Sequence, residues 1–189
     1  PLAGETLARI TRELGEAEAK LAAEPRDLDA LIWVGRRQAY LGRYGGAIAT
    51  FSRGLELHPD HPRLLRHRGH RWITVRRFED AVRDLARAAE LSNGVPDQIE
   101  QDGMPNALGI PTSTTQSNIY YHLGLAHFLL GDYEQAVAAY ARCRSVCRTT
   151  DMTVATVNWQ ALALRRLGRI DAMRTALNSV APDAEVIEN

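Results

Sequence analysis

The chain has little of what usually marks a catalyst or a membrane protein. It holds two cysteines, Cys143 and Cys147, and no cysteine pair has zinc-type spacing. At i, i+4 on one predicted helix, the two are poorly suited to a disulfide. Cys143 also falls on a small-residue packing position, which reads as a buried structural thiol. No stretch approaches the roughly 20 apolar residues of a membrane span. Neither sign of charge dominates: 23 basic residues balance 23 acidic ones, so bulk attraction to nucleic acid or to an anionic membrane is not expected. Strand signals are nearly absent. No nucleophile elbow, phosphate-cradling glycine motif or paired-carboxylate signature occurs, so the expectation is a protein that is not an enzyme and carries no cofactor. The first residues lack a charged-then-apolar leader, and a cytoplasmic location is the corresponding expectation.

What the chain does have is a repeat. Gly35, Ala47, Phe51, Gly54 and Pro59 recur 34 residues later as Gly69, Ala81, Leu85, Ala88 and Asn93, at offsets of 12, 16, 19 and 24 from the first glycine. Gly124, Ala136, Tyr140 and Cys143 keep the same offsets, and Gly131-Asp132-Tyr133 parallels Gly42-Arg43-Tyr44. A fourth unit carries Gly168-Arg169-Ile170, then Met173, Leu177 and Val180, with Ala161 in place of the first glycine. A period of this length marks a stacked helix-turn-helix array. Within each unit a small residue in the first helix lets the second approach, and the second offers an apolar stripe such as Ala47, Phe51 and Gly54. Neither helix can bury that stripe alone, so neighbouring units must cover it.

These features resemble the tetratricopeptide repeat (TPR) family, whose signature is a Trp/Leu, a Leu-Gly pair, a Tyr, an Ala, a Phe/Tyr and a Pro. The expected fold is all-α, a right-handed α-solenoid of antiparallel helix pairs. On this reading residues 1–189 form one array, with an N-terminal helix within 1–27 and repeats at 28–61, 62–95, 117–150 and 154–187. Residues 92–116 are an insertion. The helix at 4–23 shows Leu7, Ile10, Leu14, Ala17 and Leu21 on one stripe. Asp60, Ser117 and Asp151 stand where N-caps are needed, and Pro62 falls in a first turn, where a missing N–H is harmless. The insertion, with its glycines and prolines around Asp97, Glu100 and Asp102, is too long for a simple connection. Its carboxylates are expected to pair with Arg66, Arg68, His70 or another arginine.

The helix beginning near Pro62 departs from the rest. From His61 to Phe78 the chain carries six arginines, three histidines and no carboxylate. The resemblance implies a concave groove lined by Trp33, Arg36 and Tyr40 from the first unit and by Arg66, His67 and His70 from the second. Tyr121 and His122 follow from the third, and Asn158, Trp159 and Arg165 from the fourth. Guanidinium planes and imidazoles suit carboxylate or phosphate recognition, and indole and phenol rings add apolar platforms. An arginine-rich helix can equally be a solvated face. Arg68, however, sits where the family has an apolar residue, so it requires a partner. The clamp with which some TPR domains hold an acidic chaperone tail consists of Lys, Asn, Asn, Lys and Arg. It maps onto Ile32, Arg36, His67, Asn118 and His122, and none of the types matches. His67, His70 and His122 are too incomplete a set, among too many arginines, for a metal site. The implied function is a scaffold binding a protein or peptide segment, acidic in character. The alternative is a small-anion or metabolite binder with 92–116 as lid. Arg66 and His70 are expected to be exposed, and His67 and His122 to titrate with the ligand.

Overall fold

The computed structural model describes residues 4–187. These form nine α-helices: α1 (Gly4–Ala23), α2 (Leu28–Tyr40), α3 (Tyr44–Leu57), α4 (Pro62–Thr74), α5 (Phe78–Leu91), α6 (Thr115–Leu130), α7 (Tyr133–Val146), α8 (Thr150–Arg166) and α9 (Ile170–Leu177). Among the described residues β structure is limited to one isolated antiparallel bridge, Ile99 with Thr114. The architecture is therefore an all-α helical repeat, as the 34-residue period implied. The chain divides into two compact units, Pro1–Leu91 and Ser92–Asn189.

In the first unit each helix packs on the next from α1 to α5, and α2 also touches α4. Its core gathers Ile32, Ala39, Ala47, Phe51 and Leu64. In α1 the apolar stripe is used unevenly. Ile10 and Leu14 are buried, whereas Leu7 stays exposed. The second unit repeats the scheme with α6 to α9, α6 also touching α8. There Ala136, Tyr140 and Ala163 are packed by Tyr121, Phe128, Tyr133, Val137 and Trp159.

The 16-residue offset in the sequence is a physical contact. A Cβ built on Gly35 would lie 2.4 Å from Phe51 Cε1, one on Gly69 2.6 Å from Leu85 Cγ, and one on Gly124 2.6 Å from Tyr140 Cε1. In these three repeats the large residue of the second helix thus fills the space where the glycine has no side chain. The turns between paired helices also share a geometry. Gly42, Gly131 and Gly168 adopt left-handed φ values of 75°, 82° and 72°, so that backbone N–H groups can close the helix C-terminus. In the second repeat that position is Arg76, with φ 61°.

Helix starts differ from expectation. Asp60 is not the cap of α4; it occupies a left-handed turn with φ 56°, and His61 takes the N-cap position ahead of Pro62. Asp60 is drawn away by Arg87, whose Nη2 lies 2.7 Å from Oδ2. Ser117 is the third residue of α6 rather than its cap. Thr114 caps the helix, and the two hydroxyl residues form a reciprocal capping box. Thr149 caps α8, and Asp151 instead accepts a hydrogen bond from the backbone N–H of Ile187 at 2.8 Å. In each case a neighbouring Thr or an ion pair outcompetes the residue nearest the periodic boundary.

Candidate functional site

The expected site residues of the first unit converge around α2 and α4. Trp33 lies beneath two guanidinium groups, Arg36 at 4.5 Å and Arg37 at 4.8 Å from its ring centroid. Arg36 also donates to the Tyr40 hydroxyl at 3.3 Å. From α4, Arg66 Nη1 lies 2.8 Å from His67 Nδ1, and the imidazole stacks on Phe51 with centroids 5.6 Å apart. His70 is half-buried.

Two expectations change here. Arg66 is buried rather than exposed, at 7% relative accessibility. His67, at 5%, is no titrating surface group. Burial first, then the charges of Arg66, Arg36, Arg63 and Arg71, hold its pKa well below the usual imidazole range. It is neutral at pH 7, and its unprotonated ring nitrogen can accept from Arg66.

Arg71 is the residue that the sequence reading missed. It is pushed down to about 10 by burial and by the nearby charges of Arg66 and Arg36, while the phenols of Tyr40 and Tyr44 act in the opposite direction. The site thus brings together Arg36, Arg66 and Arg71 with Tyr40 and Tyr44. Arg71 lay outside the positions that the family resemblance selects. The available signal was its place in the carboxylate-free run of α4.

Arg68 belongs to the framework. Its partner, demanded by its place in an apolar slot, is Asp84 on α5, with Nε to Oδ2 at 2.7 Å and Nη2 to Oδ1 at 2.8 Å. Ser52 and Trp72 complete the network, at 3.1 Å each. The acidic partner of Arg68 therefore comes from its own repeat and not from the insertion.

In the second unit, Tyr121 and His122 meet edge to face at 5.4 Å. His122 is buried, with Nδ1 2.7 Å from the carbonyl of Asn118, so it too lacks the exposure expected of a titrating contact. Trp159 packs on Phe128 at 5.2 Å, while burial raises the Tyr121 phenol against a hydrogen bond from Trp159. Asn158 and Arg165 are exposed. The insertion is irregular and tied to the start of α6. Asp97 accepts from the backbone N–H of Gln116 at 2.9 Å, and Glu100 accepts from the Asn118 amide at 3.2 Å.

The remaining histidines are partly buried. His58 Nε2 lies 2.7 Å from the carbonyl of Arg26, and His61 is half-buried, its pKa lowered mainly by that burial. His127 is half-buried and stands 3.4 Å from Asp132. No helix among the described residues is long and apolar enough to cross a membrane.

The helical pairs, their glycine contacts and their turns define an all-α helical-repeat protein. Residues 117–149 match the family model for the tetratricopeptide repeat. The fold is that of solved TPR structures. One is the crystal structure of MamA, 18% identical, covering 93% of this chain and 89% of that one with a TM-score of 0.69. MamA 41-end from Desulfovibrio magneticus RS-1 is 17% identical over 93% of this chain and 89% of that one, with a TM-score of 0.67. TTC0263, a thermophilic TPR protein of Thermus thermophilus, is 19% identical over 95% and 87%, with a TM-score of 0.64. No curated protein sequence matches the chain significantly.

Proposed function

We propose that the protein is a non-enzymatic scaffold that binds an acidic peptide or protein segment. The face of α2 and α4 supplies Trp33, Arg36, Tyr40, Arg66 and Arg71, with His70 beside them. The second unit contributes Tyr121, His122, Asn158, Trp159 and Arg165 as a separate aromatic and polar face. The observation that carries this reading is Arg71. Burial first, then the charges of Arg66 and Arg36, lower its pKa to about 10, and Arg66 itself is 7% exposed, so several guanidinium groups are gathered where water is scarce. A carboxylate entering such a place gains from several cations at once and can be gripped side-on. Trp33 and Tyr40 offer apolar surface to the flanking residues of the peptide. Arg36, His67, Asn118 and His122 differ in type from the chaperone-tail clamp, so recognition here uses other donors.

The test is selection from a random peptide-display library on the immobilised full chain. The reading expects enrichment of sequences rich in Asp and Glu, lost when Arg36 and Arg71 are both replaced by Ala. Enrichment of apolar or basic sequences would exclude it. Retention of inorganic phosphate with no peptide selected would favour the small-anion alternative.

A further inference from the structure

The two cysteines, set apart in the sequence as an unpromising pair, are in contact. Cys143 Sγ lies 3.9 Å from Cys147 Sγ. The i, i+4 spacing puts both side chains on one face of α7. Cys147 is not inside the helix but is the C-cap of α7, with extended backbone (φ −61°, ψ 134°), and residues 147–149 are non-helical before α8 begins. Its N–H still donates to the Cys143 carbonyl at 3.0 Å and its φ is helical, so its Cα keeps the helical spacing. Because ψ is extended and no residue beyond it continues the helix, breaking that one terminal hydrogen bond frees it to move toward Cys143. Bringing the sulfurs to the bonding distance of about 2.05 Å requires a shift of roughly 2 Å at a chain segment held to the helix by the Cys147 N–H. Cys147 is half-buried and Cys143 fully buried. Thr156 on α8 brings its hydroxyl within 3.2 Å of Cys143 Sγ and 3.8 Å of Cys147 Sγ.

We propose that Cys143 and Cys147 are a reversible redox pair, in which a hydroperoxide oxidises Cys147 and Cys143 resolves it to an intrachain disulfide. The Cys147 thiolate attacks the peroxide oxygen, the O–O bond breaks, and an alcohol (water, for hydrogen peroxide) leaves after protonation. The sulfur, oxidised by two electrons, becomes a sulfenic acid. Cys143 sulfur then attacks Cys147 sulfur, loses its proton, and the S–OH bond breaks to release water. In sum, two thiols and one hydroperoxide give one disulfide, one alcohol and one water.

The surroundings divide the two roles. A hydrogen bond from Cys143, aided by Thr156, Thr153 and Arg144, holds the Cys147 thiol below its usual range. Cys143 is pushed the other way, by that same bond and by burial. The half-buried sulfur is thus the attacking one, and the buried sulfur waits behind it. Oxidation also has a structural consequence. While Cys147 is a thiol, Cys143 Sγ–H donates to the carbonyl of Ser117 on α6 at 3.3 Å; when Cys147 ionises, that one proton turns to its sulfur instead. A disulfide has no such proton, so this link between α7 and α6 is lost.

The experiment exposes the full chain to hydrogen peroxide, then counts thiols after denaturation and maps the tryptic peptides without reduction. The expected result is loss of both thiols, restored by dithiothreitol, with the peptide Cys143-Arg144 joined to the peptide ending at Arg148. The oxidised protein should also unfold at a lower temperature than the reduced form. Cys147→Ser should retain a peroxide-resistant Cys143, and Cys143→Ser should accumulate a sulfenic acid that dimedone traps. Should Cys143→Ser fail to fold, the joined peptides of the native chain decide the matter. Two thiols still titratable after peroxide, oxidation to a sulfinic acid without the joined peptides, or a link only between chains would overturn the proposal.

Discussion

Arg68 and Asp84 face each other side-on between α4 and α5, joined by two hydrogen bonds of 2.7 and 2.8 Å. The carboxylate is only 4% exposed and the guanidinium side chain 22%. Asp84→Ala should cost about 3–5 kcal/mol, because it strands a largely buried arginine. The Trp72 indole N–H, which donates to the same carboxylate, loses its acceptor as well. Replacing both members by Leu should recover most of that loss. Urea unfolding measures both; a double variant less stable than the single one would refute the argument.

Gly124 and Tyr140 test the repeat itself. A Cβ at Gly124 would fall 2.6 Å from the Tyr140 ring, so Gly124→Ala should destabilise by about 1–3 kcal/mol despite alanine's better helix propensity. Gly124→Leu should cost more. Tyr140→Leu should not by itself relieve Gly124→Ala, since a Cβ on Gly69 would lie equally close, 2.6 Å, to Leu85. Tyr140→Ala, which removes the ring the new Cβ meets, should make the added cost of Gly124→Ala vanish. An unchanged thermal midpoint for Gly124→Ala would place this glycine outside the helix interface.

Arg76 occupies the left-handed turn that glycine fills in the other three repeats. Relief of a strain of roughly 1–2 kcal/mol, set against the entropy that glycine adds to the unfolded chain, predicts a net gain of about 0.5–1 kcal/mol for Arg76→Gly. Arg76 is exposed, so no packing is lost. Denaturant midpoints decide it, and a loss of stability would contradict the account of the turn.

His67 gives the pH dependence its sign. Its folded pKa is lowered well below 6.5, so the unfolded chain takes up the proton first as pH falls. Stability is therefore full above about pH 7 and declines below about 6.5, at up to roughly 1.4 kcal/mol per pH unit. His61 and His127, also lowered by burial, add slopes of the same sign. His67→Phe should reduce the slope measured by thermal unfolding across this range, whatever it does to absolute stability. A variant with an undiminished slope would mean that His67 already takes up its proton in the folded state.

The helical architecture was legible because it rests on spacing. Gly35 and Phe51, Gly69 and Leu85, Gly124 and Tyr140 are contacts recorded as a fixed offset in one dimension. Arg68 was legible too, because a charge in an apolar slot announces a partner, although Asp84 could not be chosen over the insertion's carboxylates. Exposure was not legible. Arg66, His67 and His122 were assigned to an open surface by repeat position, yet their burial depends on side chains packed around them from other helices. Arg71 escaped notice for the same reason, since its surroundings are assembled from Arg36, Tyr40 and Tyr44 on α2 and α3. The Cys143–Cys147 contact follows from i, i+4 spacing, but that Cys147 is the last hydrogen-bonded residue of α7 depends on a one-residue boundary, which periodicity does not resolve.

The most direct measurement is fluorescence anisotropy of a labelled Asp/Glu-rich peptide ending in a free carboxylate. It is titrated with the native chain, with Arg36→Ala/Arg71→Ala, and in rising salt, alongside a control peptide with Lys in place of each acid. The account predicts saturable binding of the acidic peptide alone. Loss of two charge-assisted contacts, each worth roughly 1.5–3 kcal/mol, should weaken it at least about a hundredfold in the double variant. Salt should weaken it as well. Equal affinity for the acidic and basic peptides, or undiminished affinity in the double variant, would contradict the assignment of this face to anion recognition.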